Sequence, residues 1–262
     1  MRSMVSSANP KGIAAIVGVG PKLGRSIARK FAHEGYTVAI LSRDLGRLSR
    51  FADEIAREEK AQVFAIRIDC SDPRSVREAF EGVLSLGFVE VLIYNAYQPC
   101  SWLPTSFTDI RIDSFEKSLA VSSVGAFLCS QQVIPGMVER GKGTILFTGC
   151  SASLHGIAGF SDLCCGKFAL RALSQCLARE FQPLGVHIAH VIIDGIVGPP
   201  RGPSSSQRTL MGEQQQQQSI GGEGVMDPDS LAQTYWHLHV QDRTAWTQEI
   251  DLRPSNSIPR FC

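Results

Sequence analysis

Short apolar runs alternate with longer amphipathic stretches from Ile13 to about Ile193. The apolar runs have the length and the β-branched content of buried strands, whereas the longer stretches repeat apolar residues at helical spacing. Strands that alternate with helices in this way are typical of a parallel sheet covered by helices on both faces. The pattern therefore predicts an α/β, doubly wound fold with about seven mostly parallel strands.

The apolar runs and amphipathic stretches give approximate bounds for each element. Strands are predicted at Ala14–Gly18, Thr37–Leu41, Gln62–Ile68, Val89–Tyr94, Gly143–Thr148, His187–Ile193 and Trp246–Ile250. Helices are predicted at Leu23–Glu34, Leu45–Glu59, Pro73–Leu84, Ser114–Val138, Ser161–Phe181 and Pro228–Val240. Aspartates and serines just before a helix are frequent caps, so Asp72 is expected to cap the third helix, and Ser161 and Asp162 the fifth.

Two segments interrupt the alternation and are predicted to be loops, Gln98–Ile112 and Gly195–Val225. The second is rich in Gly, Pro and Ser and carries the glutamine run Gln214–Gln218, which predicts a flexible lid with a disordered insertion. Ligands of open parallel sheets bind beyond the carboxyl ends of the strands, where both loops would lie. We therefore expect them to form the walls of a substrate pocket.

The first strand and helix are joined by a turn that contains Gly18, Gly20 and Gly24. Without Cβ atoms, these positions would let a pyrophosphate approach the free amide groups at the helix N-terminus. The glycines alone fit a structural turn about equally well. The strand before them and the helix and second strand after them favour a dinucleotide-binding unit.

Composition narrows the class of partner. The chain has 262 residues, of which 44% are apolar, and this is enough for one domain over residues 1–262. Its 26 basic and 25 acidic side chains create no net field for nucleic acid or an acidic membrane, so we expect a small-molecule partner. Eight cysteines without metal-site spacing, no apolar run as long as a membrane span and no secretory signal predict reduced thiols, no metal site and a cytoplasmic location.

Several motifs then resemble one family in their order and spacing. The turn GVGPKLG, the segment YNAY at Tyr94–Tyr97 and the segment TGCSAS followed by Lys167 resemble the TGxxxGxG, NNAG and Ser…Tyr-xxx-Lys motifs of the short-chain dehydrogenases/reductases. The resemblance covers nearly the whole chain and implies a Rossmann-type domain with a nicotinamide cofactor and a small-molecule substrate. It also implies a homodimer or homotetramer formed through the two long helices. The helical repeat of Ala169, Leu173, Cys176 and Leu177 would face either that partner or the sheet.

Charge at the end of the second strand bears on which cofactor is used. Arg43 can place its guanidinium against a ribose 2′-phosphate, so NADP(H) is favoured over NAD(H). The alternative is a solvated Arg43 beside Asp44 as a helix cap. The family motifs imply cofactor contacts from a larger set: Gly18, Gly20, Lys22, Leu23, Gly24, Arg43, Asp69, Cys70, Asn95, Ala96, Lys167, Gly195 and Val197.

The catalytic positions depart from the family pattern. Leu163 stands at the tyrosine position, Cys150 at the serine position and Ser122 at the asparagine position, so only Lys167 is retained. Leucine cannot transfer a proton, and the family's usual mechanism is not expected. Three hypotheses follow. The first is an NADP(H)-dependent oxidoreductase of unknown substrate, whose proton comes from His155, Tyr94, Tyr97 or water. The others are a catalytically inactive NADP(H)-binding sensor or scaffold, and a cofactor-free homologue that acts through protein contacts.

Overall fold

A seven-stranded parallel sheet forms the centre of the protein. The computed structural model describes residues 11–99, 103–199 and 225–255. The strands of the sheet are β1 (Ile13–Val17), β2 (Thr37–Ser42), β3 (Val63–Arg67), β4 (Val89–Tyr94), β5 (Gly143–Cys150), β6 (Val186–Ile193) and β9 (Glu249–Leu252). They lie side by side in the order β3-β2-β1-β4-β5-β6-β9. The predicted doubly wound α/β fold is confirmed.

Helices cover both faces of this sheet. They are α1 (Leu23–His33), α2 (Leu45–Glu59), α3 (Pro73–Ser85), α4 (Ile112–Leu119), α5 (Gly125–Glu139), α6 (Ser161–Phe181) and α7 (Pro228–His239). One apolar core lies between the sheet and α3, α5 and α6, where Phe80, Val133 and Leu170 are buried. The other core lies beneath α1, α2 and α7 and contains Phe31 and Leu48. Each helix thus packs against the sheet through its apolar stripe.

Aspartate caps fix where three helices begin. Asp44 accepts a hydrogen bond from Arg47 N at 3.0 Å, and Asp72 accepts one from Arg74 N at 2.9 Å, as expected for side chains that satisfy free helix amides. Asp227 caps α7 in the same way. The predicted cap of α6 is wrong, because Phe160 occupies the cap position and makes no side-chain cap bond. Asp162 lies inside the first turn instead, where its carboxylate accepts from Leu163 N at 2.8 Å.

Several predicted bounds change. The helix expected at Ser114–Val138 begins at Ile112 and is interrupted by a π-helical turn, Ala120–Val124, which joins α4 to α5. The loop expected at Gln98–Ile112 contains a short 3₁₀ helix at Phe107–Asp109. The ends of the other loop pair as two short parallel strands, β7 (Ile196–Val197) and β8 (Val225–Met226), while residues 200–224, with the glutamine run, lie outside the described residues.

The last strand begins later than its predicted bounds. The apolar residues from Trp246 suggested a strand, but the indole stacks on the ring of His187 with 4.9 Å between centroids, beside a short 3₁₀ helix. Trp246 is therefore an apolar residue that packs on His187 before the strand begins, and it does not belong to the strand. The edge strand β9 therefore forms only from Glu249 to Leu252.

One helical stretch, Ile112–Glu139, is long and apolar enough by length and composition to cross a membrane. This corrects the expectation that no segment reaches that length. Half of the relevant window is buried inside the protein, with Val133 and Met137 in the core beneath the sheet. A core helix of a soluble protein passes the same test, so this stretch is weak evidence for a membrane span.

Candidate active site

The first strand lies where the strand order reverses, between β2 and β4, and the turn after it opens at this reversal point. In doubly wound sheets the carboxyl ends of the strands form a ligand crevice at such a point. Asn95, which follows β4, donates from its backbone N to Val17 O at 2.8 Å and from Nδ2 to Gly18 O at 2.9 Å. The glycine turn is thereby fixed to the end of the neighbouring strand.

The three glycines of the turn have different surroundings. Gly18 has a φ of +86°, and a Cβ placed there would lie 2.5 Å from Ala96 Cα. A Cβ on Gly24 would lie 2.8 Å from Val19 Cα. A Cβ on Gly20, by contrast, would meet nothing within 4 Å. Gly18 and Gly24 are thus required for packing, whereas Gly20 faces open space that a ligand could fill.

The start of α1 is suited to an anion. Lys22 precedes the helix and provides no side-chain cap, so the first helix amides have no side-chain acceptor there. The side chain of Leu23 is buried and anchors the turn. The Lys22 ammonium crosses the crevice and donates to Val197 O on β7 at 2.7 Å. Arg25, in the first turn of α1, forms an ion pair with Glu54 at 2.9 Å.

The far end of the crevice carries the groups expected to contact an adenosine. Arg43 is exposed just after β2. The Asp69 carboxylate accepts from Ser71 Oγ at 2.6 Å and from Ser71 N at 2.9 Å. These hydrogen bonds, with the nearby charge of Arg43, lower the pKa of Asp69. Cys70 is buried, and burial raises the pKa of its thiol to about 11.

The retained lysine is held at the end of β5. Lys167 is only 5% exposed and donates to Thr148 O at 2.9 Å, at the end of β5. The Thr148 hydroxyl in turn lies 2.7 Å from the buried hydroxyl of Tyr235 on α7. This bond between β5 and α7 was not anticipated from the sequence, because the two residues are far apart in the chain and neither belongs to a motif.

The π-helical turn brings Ser122 next to α6. A Cβ placed on Gly166, the residue before Lys167, would lie 3.1 Å from Ser122 Cβ. Ser122 is fully buried, and its hydroxyl has no hydrogen-bond partner among the described residues. A π turn re-aims a side chain that a regular helix would direct elsewhere. Ser122 therefore packs against α6 at the residue that precedes Lys167.

The motif spacing assigns Leu163 to the position of the family's tyrosine. Leu163 is half-buried one helical turn before Lys167. Cys150 is half-buried at the end of β5, and its backbone N donates to Ser153 Oγ at 3.3 Å. The neighbouring Cys164 is buried, which raises the pKa of its thiol. Leu163 itself carries no ionisable group at the position that the motif spacing assigns to the family's phenol.

The three side chains considered as substitute proton donors differ in access. Tyr94 is completely buried and donates its hydroxyl to Val121 O, and burial raises its pKa well above the usual range. Tyr94 is therefore unsuitable as a proton donor to substrate. Tyr97, at 52% exposure, and the exposed His155 both remain open to solvent.

A buried histidine supports the end of β5. A Cβ placed on Gly149 would lie 2.5 Å from Cε1 of His190 on β6, so the imidazole packs directly against this glycine. His190 Nδ1 lies 3.1 Å from Glu249 Oε2, and that carboxylate also receives two hydrogen bonds from Arg171 of α6. Burial lowers the pKa of His190, which favours the neutral ring. In the sequence, the feature that could have drawn attention to His190 is its position inside an apolar strand.

Residues 12–207 match the family described as short chain dehydrogenase. The chain belongs to the short-chain dehydrogenase/reductase family. The fold of this family binds a nicotinamide cofactor, and its members are oxidoreductases. A short-chain dehydrogenase/reductase of Armillaria gallica is 30% identical over 182 residues, which are 67% of each chain. A 3-ketodihydrosphingosine reductase of Bos taurus is 27% identical over 187 residues, or 68% of this chain, but the match spans about half (54%) of the length of that reductase.

Solved short-chain dehydrogenases/reductases agree in fold over nearly the whole chain. One from Rhodopseudomonas palustris has a TM-score of 0.77 at 28% identity and covers 93% of this chain and 98% of its own. A metagenomic family member solved in complex with NADP has a TM-score of 0.76 at 20% identity, over 93% and 97% of the two chains. Among the described residues, no group of three His, Cys, Asp or Glu side chains is placed to hold a metal ion.

Proposed function

We propose that this short-chain dehydrogenase/reductase is an NADP(H)-dependent oxidoreductase that works without the family's tyrosine. The observation that carries the proposal is the arrangement around one crevice of an open glycine turn at Gly20, an uncapped α1 N-terminus and a buried Lys167. The residues fit a dinucleotide, whose chemistry when bound is hydride transfer. The residues proposed to contact the cofactor are those that the family motifs imply.

The proposed roles follow from position. The α1 amides and Lys22 would bind the pyrophosphate, whose charge would draw the Lys22 ammonium from Val197 O. Arg43 would bind the 2′-phosphate of NADP(H). Lys167 would bind a ribose hydroxyl of the nicotinamide half, because its buried ammonium is directed along the end of β5. The proton would come from Tyr97, His155 or water, the groups with solvent access.

Turnover tests this proposal directly. Purified protein is mixed with NADPH and a panel of carbonyl and activated alkene compounds, and NADPH oxidation is followed by absorbance. We expect consumption above the rate without substrate, and its loss in Lys167→Ala. Tyr97→Phe and His155→Gln distinguish the proton sources, since the variant that lacks the donor loses the rate. An absence of turnover across the panel, in protein that binds NADPH, would contradict it.

The second candidate is an NADP(H)-binding sensor or scaffold without turnover. The observation that favours it is Leu163, an apolar side chain in the position where the family places its proton donor. This candidate expects the same NADPH affinity but no hydride transfer with any compound of the panel. The two candidates therefore share the binding site and differ only in chemistry.

Assembly and location are further proposals. Val124 and Phe127 on the α4–α5 stretch and Phe168 and Cys176 on α6 are exposed. These side chains support a homodimer or homotetramer through these helices, because apolar side chains of this size are usually covered. Leu173 and Leu177 pack partly against the core beneath the sheet, so the repeat that contains Cys176 is divided between the sheet and the outer surface.

We place the protein in the cytoplasm on the basis of its cysteines and balanced charge.

A further inference from the structure

The described loops that follow β4 and β5 line a solvent-open cavity of about 530 Å³. One wall comes from the segment Pro104–Phe107 and the other from Ile157–Gly159, with Ser161 at the base. Ser161 begins α6, two residues before Leu163. The cavity therefore lies next to the helix start that carries Leu163, the residue that the motif spacing assigns to the family's proton donor.

The two walls are fixed to each other. Thr105 N donates to Gly159 O at 3.0 Å. Gly159 has a φ of +81°, and a Cβ placed there would lie 2.9 Å from Pro104 Cα. Only glycine permits this approach of the two loops. The cavity is thus formed by a defined contact between the two loops.

The chemistry of the lining is apolar. Pro104, Phe107, Ile157 and Ala158 supply most of its side-chain surface, and the polar groups in the described lining are uncharged hydroxyls. Phe107 is 81% exposed, an unusual state for a side chain of its size in a loop next to a crevice. A charged substrate body would lose its hydration here without gaining a partner. An apolar one would release water from Phe107 and Ile157.

We propose that the substrate is a carbonyl compound, or the corresponding alcohol, with an uncharged aliphatic or aromatic body that fills this cavity. The inference rests on the proposed function, since it takes hydride transfer at the adjacent crevice as the reaction. The volume lies in the range of small-molecule sites.

Ligand-observed NMR with the full chain tests this proposal, with and without NADPH. Methyl ketones of increasing chain length, from pentanone to nonanone, serve as probes. Affinity should rise by up to about fourfold for each added methylene until the cavity is full. Phe107→Ser and Ala158→Asp should each weaken nonanone binding about tenfold or more. Leu84→Ser changes an exposed apolar side chain on α3, outside the cavity, and should leave binding unchanged.

Equal affinity for all ketones, or unchanged binding in both cavity variants, would overturn the proposal, as would an equal loss in Leu84→Ser. The thermal shift with NADPH, recorded on the same samples, separates the two claims. Ketone binding without any NADPH binding would support the apolar cavity and contradict the proposed oxidoreductase function. NADPH binding without ketone binding would contradict the apolar cavity and leave the proposed oxidoreductase function supported.

Discussion

Individual side chains decide whether the crevice can catalyse. Lys167 is buried and donates to Thr148 O. The motif spacing predicts that this lysine is the one that lowers the pKa of a phenol in the family, and that Leu163, one helical turn away on the same helix, stands in the place of that phenol. Introducing a tyrosine at Leu163 tests both assignments.

Leu163→Tyr should raise NADPH-dependent carbonyl reduction on the order of 10²-fold, because a positioned general acid contributes an effect of that size. The measurement is the steady-state rate with the best compound of the panel. Leu163→Phe adds the ring without the hydroxyl and should give no increase. An equal rate in both variants would show that Lys167 and the cofactor crevice do not cooperate at this position.

Another buried side chain makes stability depend on pH. His239 lies 2.6 Å from Tyr36 Oη and 2.9 Å from Thr144 Oγ1, and burial lowers its pKa from 6.5 to about 4. Glu90 lies 3.9 Å away and opposes this shift, whereas Lys142 and Lys11 add to it. The folded protein therefore keeps the ring neutral where the unfolded chain would protonate it.

Above pH 6.5 neither state binds a proton at His239, so the site does not affect stability there. As the pH falls from 6.5 to about 4, the unfolded chain takes up the proton first and the protein is destabilised, by at most about 1.4 kcal/mol for each pH unit. His239→Gln should flatten the fall of Tm in this range. His237→Gln, an exposed change on the same helix, is the control, and equal slopes in both would contradict the assignment.

Secondary-structure elements were predictable where local patterns determine them. Buried strands such as β1 and capped helices such as α2 agree closely with their apolar spacing and their caps. The π turn between α4 and α5 was not predicted, because no local pattern marks it; its Ser122 packs beside Gly166 of another helix. The pairing of β7 with β8 likewise joins segments on either side of a long insertion.

The turn between β1 and α1 gives an element-scale prediction from two similar changes. Gly18→Ala should lower the free energy of unfolding by about 1–3 kcal/mol, because its φ of +86° strains an alanine and the new methyl would overlap Ala96. Gly20→Ala should leave the Tm of the free protein unchanged but reduce the Tm increase caused by NADPH. A full NADPH effect in Gly20→Ala would place the pyrophosphate elsewhere.

At the scale of the whole molecule, the candidate site assembles from the carboxyl ends of parallel strands that are distant in sequence. Motif spacing predicted that Gly18, Asn95 and Lys167 share one crevice, and Asn95 does donate to Gly18 O. It could not show that Lys22 reaches Val197, that Arg25 is paired with Glu54 or that Tyr94 is buried. Those outcomes depend on side-chain contacts between elements, which no local pattern encodes.

Assembly is the next prediction at this scale. Phe127 is 44% exposed on α5 and Phe168 is 40% exposed on α6. If these faces form the subunit contact, Phe127→Asp with Phe168→Asp should yield a monomer in sedimentation velocity, since it would bury charge without a partner. Phe64→Asp, at 39% exposure on the edge strand β3, should leave the mass unchanged. A monomeric wild type would contradict the proposed interface.

The most direct test of the central claim is calorimetric titration of the full chain with NADPH and with NADH. We expect NADPH to bind at least about tenfold more tightly, because a guanidinium paired with a phosphate contributes 1.5–3 kcal/mol. Arg43→Ala should remove most of that preference. Arg57→Ala, an exposed change in the last turn of α2, should retain it. Binding of neither dinucleotide would contradict the account, and equal binding of both would contradict the assignment of Arg43.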